Sequence, residues 1–234
     1  MKKIGIIQPG AMGDIILLLP AAKYLHDQGN HVIMPIFEDF MWMFTEVIDY
    51  ITFVPIPRNV YTAIKNSNIL LKNTYKVDQI YDLAATFPES LATKDYVNSG
   101  DGYGEHYDVF KYKLLNIPIE EKWKLYYKRD YNKENKVYND LVKNKKYAVT
   151  CTSCSQGKYN FNFDIKDGQL IEMNTNYNVF HWTKVFENAH TIAVVNTGVL
   201  NLVEQLNISC RKIVFPVPSA RFPILKNNWE VING

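Results

Sequence analysis

The chain opens on the pattern that most restricts how it can fold. Lys3 to Gln8 is a short β-rich run, Pro9-Gly10-Ala11-Met12-Gly13 has turn residues, and Asp14 to Gln28 carries helical spacing. Gly29-Asn30 closes that helix, since a glycine just past the last turn takes a left-handed conformation at little steric cost. His31 to Ile36 is then a second apolar strand. Strand, turn, helix and strand in this order make the βαβ unit of a parallel sheet, because parallel neighbours need a crossover that a hairpin cannot supply. The fold class expected is therefore α/β.

The alternation continues. Ile51 to Val54 reads as a third strand, Val60 to Lys72 as a helix, and Gln79 to Leu83 as a fourth strand. Ala84 to Glu105 contains Pro88, Gly100, Gly102 and Gly104 and lacks periodicity. A loop of that length inside a compact domain is usually functional or disordered. Helical spacing returns over His106 to Leu115, and Lys133 to Lys143 reads as a charged helix able to bridge two domains. From Tyr147 the pattern restarts, with strands Tyr147–Cys151, Leu170–Met173, Thr191–Val195 and Lys212–Val217 and helices Val179–Asn188 and Val199–Asn207. Two consecutive α/β halves predict two Rossmann-like domains facing one another across a cleft, 1–143 and 144–218. Residues 219–234 are expected to cross back toward the first.

Composition narrows the function classes. A hydrophobic fraction of 47% is ordinary for a globular protein, and the apolar run Ile15 to Ala22 is far too short for a membrane span. The lysines at the start are not followed by a convincing secretory signal, so the expected location is cytoplasmic. Three cysteines cannot all pair within one chain, which fits a reducing compartment. Cys151 and Cys154 form a single C-x-x-C after a strand, without the second pair or nearby histidines of a zinc site, and read as small half-buried residues. The net charge of +2 implies nothing alone, but between Asp108 and Lys146 basic residues outnumber acids eleven to six. Tyr112, Trp123, Tyr126, Tyr127, Tyr131 and Tyr138 are interleaved with them. Such a mixture suits a solvated helical linker, the commoner case, or a surface that meets phosphates and bases.

Ligands of open parallel sheets bind beyond the carboxyl ends of the strands, where helix N-termini point. Two segments fall there. In Gly10-Ala11-Met12-Gly13-Asp14 the glycines allow a sharp turn and close backbone approach, and Asp14 is either a helix N-cap or an acid presented to a ligand. Gly-x-x-Gly lacks the third glycine of the dinucleotide fingerprint, and the second strand ends in Met34-Pro35-Ile36-Phe37 without an acid, so NAD binding is disfavoured. In Asn196-Thr197-Gly198-Val199-Leu200-Asn201 a helix start and the Thr197 hydroxyl either form a simple cap or hold a diphosphate.

Together the two segments resemble a known family. Gly13-Asp14-Ile15-Ile16-Leu17-Leu18-Leu19-Pro20-Ala21 looks like the N-terminus of the ADP-heptose:lipopolysaccharide heptosyltransferases, and Thr191-Ile192-Ala193-Val194-Val195-Asn196-Thr197-Gly198 looks like their donor-site strand and turn. The resemblance implies the GT-B fold, transfer from a nucleotide-sugar co-substrate with inversion, and no catalytic metal or other cofactor. It also implies Asp14 as catalytic base, with Gly13, Asn196 and Asn201 among the residues that bind the donor. Thr197 and Gly198 would sit on the donor's phosphates, Glu172 on its ribose, and Lys158 on a phosphate. Where the family has Asp before Thr-Gly this chain has Asn196, and where it has His three residues after the Gly this chain has Asn201. Both changes keep hydrogen bonding and remove an ionisable group, so ADP-heptose as donor does not carry over. The chain is also shorter than typical members.

A fainter resemblance concerns the acceptor. Phe180-His181-Trp182-Thr183-Lys184-Val185-Phe186-Glu187-Asn188-Ala189, with the closing Asn228-Trp229-Glu230-Val231-Ile232, looks like small bacteriophage GT-B proteins. Some of these are associated with glycosylating hydroxymethylated pyrimidines. That implies DNA as a partner, the host cytoplasm as location, and a flipped base near Ala84 to Glu105. His106 is a further candidate near that loop, and Glu89, Asp95 and Asp101 are spare acids that form no D-x-D metal clamp. Trp182 follows the helical spacing of Val179, Val185 and Phe186 and is expected in the core. The expectation is thus a glycosyltransferase; the alternative is a non-catalytic nucleotide- or DNA-binding module.

Overall fold

Strand β1 (Lys3–Ile7), helix α1 (Met12–Asp27) and strand β2 (His31–Phe37) form the expected βαβ unit. The computed structural model describes residues 1–84, 90, 106–154, 157–161, 163, 165–206, 208–217 and 222–232. The chain divides into two units, Met1–Tyr127 and Lys128–Gly234.

In the first unit, α2 (Met41–Thr45), β3 (Ile51–Ile56), α3 (Ala63–Ile69), β4 (Gln79–Asp82) and α4 (Tyr107–Leu114) complete the framework. Its sheet has the order β3-β2-β1-β4 with every neighbour parallel. The apolar runs that made these strands legible are buried because helices cover both faces of such a sheet. Helix α1 is buried continuously from Ile15 to Ala22, far more than a one-sided surface helix would be. Part of its cover comes from α4, whose Tyr107 and Phe110 pack on Leu17. Gly5 is required for packing: a Cβ there would lie 2.7 Å from Leu71 Cδ1.

In the second unit, α5 (Tyr131–Leu141) precedes β5 (Tyr147–Cys151), the short antiparallel pair β6 (Ser153–Cys154) and β7 (Gly157–Lys158), and β8 (Gln169–Glu172). Then follow α6 (Thr183–Glu187), β9 (Thr191–Val195), α7 (Gly198–Gln205), β10 (Arg211–Phe215) and β11 (Trp229–Val231). The sheet order is β11-β10-β9-β5-β8, again all parallel. Trp182 is fully buried, as its spacing implied.

Two boundaries differ from expectation. The units part after Tyr127 and not at 143, with α5 in the second unit. Arg129 donates to Glu134 and Glu187, Lys184 to Asn135, and the Tyr138 ring meets Tyr147 edge-on, which ties α5 to α6 and β5. Residues 222–232 also stay within the second unit. Buried Glu204 on α7 accepts from the Lys226 N–H at 2.6 Å and from the Trp229 indole at 2.7 Å, seating β11 beside β10.

Candidate functional site

Strand order reverses at one point in each sheet, and such a switch point opens a crevice at the carboxyl ends of the two strands flanking it. In the first sheet it lies between β1 and β4, and in the second between β5 and β9. Asp14 follows β1 at the first of these places and Asn196, Thr197 and Gly198 follow β9 at the second, while Glu172 ends β8 on the other side of β5.

Beyond β1 the chain turns at Ala11, which takes φ 59, while neither Gly10 nor Gly13 has a positive φ. The sharp turn is thus made by a residue with a Cβ, at a cost of about 1–2 kcal/mol that the surrounding contacts must offset. Ala11 is the N-cap of α1 and makes no side-chain cap bond. Asp14 therefore is not the cap. It sits in the first turn of α1, where the helix dipole favours an anion. Its side chain, 12% exposed, receives a hydrogen bond at Oδ1 from the Lys111 ammonium on α4, and Lys111 is 1% exposed. Lys111 also donates to Gln8 Oε1 at 2.8 Å, and Gln8 Nε2 donates back to the Gly10 carbonyl at 2.9 Å. A buried ammonium thus grips both ends of the turn. Behind it lies a second buried pair, Lys122 to Asp108 at 2.5 Å, with both side chains fully buried. Tyr112 of α4 donates to the Leu17 carbonyl at 3.1 Å, and burial, helped by nearby Asp108, pushes its hydroxyl pKa well up, so it stays a donor.

At the second switch point Thr197 caps α7, its hydroxyl oxygen accepting from the Val199 N–H at 3.0 Å. The simple-cap reading of that hydroxyl is therefore correct as far as its oxygen goes. The Cys151 sulfur lies 3.9 Å from the same hydroxyl, and either group can donate to the other. Burial pushes the Cys151 thiol pKa up, which keeps it a neutral neighbour. Glu172, at the end of β8, accepts from the Thr152 hydroxyl at 2.7 Å and pairs with Lys158 at 3.0 Å. The Thr152 bond, then Lys158, holds the Glu172 carboxyl below the usual range. Asn196 is half-buried beside Thr197, whereas Asn201 is 3% exposed within α7. Glu172 and Lys158 are thus brought together as an exposed pair, which a ligand's phosphate and hydroxyl groups can separate cheaply.

No protein-family model matches the sequence, and no curated protein matches it either. Solved structures do match. A family 9 glycosyltransferase from Veillonella parvula is similar with TM-score 0.61 at 11% identity, over 100% of this chain and 86% of that one. The E. coli heptosyltransferase WaaC with ADP-2-deoxy-2-fluoro heptose is similar with TM-score 0.55 at 13% identity, over 98% and 92% of the two chains. E. coli ADP-heptose LPS heptosyltransferase II gives TM-score 0.57 at 12% identity, over 99% and 90%. The chain has the GT-B glycosyltransferase fold.

On this GT-B frame six of the eleven basic residues between Asp108 and Lys146 meet carboxylates. Lys111 and Lys122 are buried against aspartates, and Lys124, Arg129, Lys133 and Lys136 each pair with a neighbouring carboxylate. His106 is exposed at the start of α4. Glu89, Asp95, Asp101 and most of the Ala84–Glu105 stretch lie outside the described residues. Lys111, Gln8 and Thr152, which the structure links to the candidates Asp14 and Glu172, were not singled out in the sequence. One signal for Lys111 was present: with Tyr107 and Phe110 it falls on the buried i, i+3, i+4 face of α4, where an unpaired lysine would be costly. Among the described residues no helix is long and apolar enough to cross a membrane.

Proposed function

We propose that the protein is a metal-independent, inverting glycosyltransferase that uses a nucleoside diphosphate sugar. The observation that carries this reading is the location of Asp14 and of Thr197-Gly198 at the switch points of the two sheets of a GT-B fold. Asp14 Oδ1 is occupied by Lys111, and Oδ2 is the oxygen available to an acceptor hydroxyl. In the reaction Oδ2 takes the hydroxyl proton as the acceptor oxygen forms its bond to the anomeric carbon. The bond from that carbon to the diphosphate breaks, and its electron pair stays on the departing phosphate oxygen. The Gly198 N–H, the Thr197 hydroxyl proton and the positive end of α7 stabilise the charge that develops there. Glu172 receives the ribose hydroxyls, and Lys158, released from Glu172, approaches a phosphate. Asn196 hydrogen-bonds the donor, and Asn201, buried in α7, supports that helix start from within.

One of the similar structures is an ADP-heptose LPS heptosyltransferase and another holds ADP-2-deoxy-2-fluoro heptose, which makes ADP-heptose the first donor to test, followed by UDP, GDP, CDP and dTDP sugars. The acceptor is a hydroxyl-bearing molecule. A hydroxymethylated pyrimidine in DNA satisfies that chemistry, and of the eleven cations in the 108–146 run six are already engaged by carboxylates. The test is release of nucleoside diphosphate and transfer of labelled sugar, with EDTA present, by the native protein and by Asp14→Asn. The variant should bind donor normally and turn over at least about 100-fold more slowly, as loss of a general base implies. Undiminished transfer by Asp14→Asn would remove the mechanism. Donor binding by the native protein without transfer or hydrolysis would instead identify a nucleotide-binding module.

A further inference from the structure

We infer that Lys111 is a positioning residue for the transfer reaction, fixing the Asp14 carboxylate in the orientation that receives the acceptor proton; the inference rests on Asp14 being the base. Asp14 comes from a first helical turn whose cap residue, Ala11, offers no side-chain bond, and its carboxylate is met by the Lys111 ammonium from α4. A carboxylate free to rotate would divide its time among rotamers, only some of which aim an oxygen at an incoming hydroxyl. Lys111 removes that freedom. Its ammonium is 1% exposed, reaches Asp14 Oδ1 from α4, and is itself held at 2.8 Å by the fully buried Gln8. The ammonium also stands over the Tyr107 ring, 5.5 Å from its centroid.

The arrangement is directional. Gln8 ends β1, Asp14 begins α1, and one cation bonds to both, so the strained turn at Ala11 is clamped from its two sides. With Oδ1 taken by Lys111, the carboxylate offers Oδ2 alone. Misplacement of a reacting group by about 1 Å can cost 100-fold, and a fixed carboxylate avoids that loss. Lys111 belongs to the unit that holds Asp14 and not to the unit that holds Thr197, so its removal should affect turnover and leave donor binding unchanged.

The experiment compares native protein, Asp14→Asn and Lys111→Ala for kcat, acceptor KM and donor Kd, with n-propylamine titrated into the last. That amine replaces the atoms the substitution removes, from Cγ to the ammonium. Lys111→Ala should lose about 100-fold in kcat with donor Kd within about twofold, and n-propylamine should restore much of it while n-propanol should not. Full activity in Lys111→Ala, or a loss that the amine leaves unchanged, would overturn the inference. Should that variant not fold, Lys111→Met keeps the length and apolar stem: lowered kcat at unchanged donor Kd supports the inference, and native kcat overturns it. If Asp14→Asn is inactive while the Lys111 variants are fully active, only the positioning role falls. If Asp14→Asn is itself active, the reading of Asp14 as base falls first.

Discussion

Replacing Lys122 with Met should destabilise the first unit more than any surface change could. Lys122 and Asp108 are both fully buried and meet at 2.5 Å, tying the Ile119–Trp123 turn to α4. Removing the cation leaves the Asp108 carboxylate in the interior without its counter-charge. Breaking a buried pair from one side costs about 3–5 kcal/mol, whereas replacing both partners with apolar groups is often neutral. For a unit bounded by Met1 and Tyr127, each kcal/mol corresponds to roughly 4 °C in melting temperature, so Lys122→Met should melt at least about 10 °C lower. The double variant Lys122→Met/Asp108→Leu should recover most of that loss. Urea unfolding followed by tryptophan fluorescence is the assay. Trp123 is an internal reporter, since the Lys122 ammonium lies 5.3 Å from its ring centroid. A single variant within about 1 kcal/mol of native, or a double variant as unstable as the single, would refute the argument from buried charge.

Two other outcomes test the second unit. Thr197→Val removes the oxygen that accepts from the Val199 N–H and the hydroxyl proton proposed to meet a phosphate, so nucleoside diphosphate affinity should fall about tenfold, with roughly 1 kcal/mol lost from the helix cap; calorimetry showing an unchanged Kd would take Thr197 out of the donor site. Glu172 is held below its ordinary value of 4.5 first by the Thr152 hydroxyl and then by Lys158. Its folded value lies below its unfolded value, so its contribution to stability is present above about 4.5 and is lost as pH falls through the folded value. Thr152→Val should raise the Glu172 midpoint in a carboxyl-detected NMR titration, and an unmoved midpoint would show that the hydroxyl is not the cause.

Much of the α/β plan and part of the site could be read from local pattern. The strand Lys3–Ile7, the turn before Asp14, the helix ended by Gly29 and the strand from His31 follow from short-range rules, and the structure places these elements within a residue or two. The placement of Asp14 and Thr197 just beyond strands could be read because strand ends can be recognised locally, whereas Glu172 was singled out through the family resemblance. Other features depended on contacts between distant residues. Lys111 and Asp14 are 97 positions apart, and nothing along the chain says that a lysine in a tyrosine-rich stretch closes on the first turn of α1. The same stretch looked cationic because sequence shows charge without showing which carboxylate stands opposite. The helix at Tyr131–Leu141 read as a bridge and the C-terminal stretch as a crossover, until Arg129–Glu187 and Glu204–Trp229 tied both into the second unit. Periodicity and turn chemistry, being short-range, determined the elements and their order; the partner of each buried charge was decided only by tertiary structure, because an ion pair depends on distance in space and not along the chain.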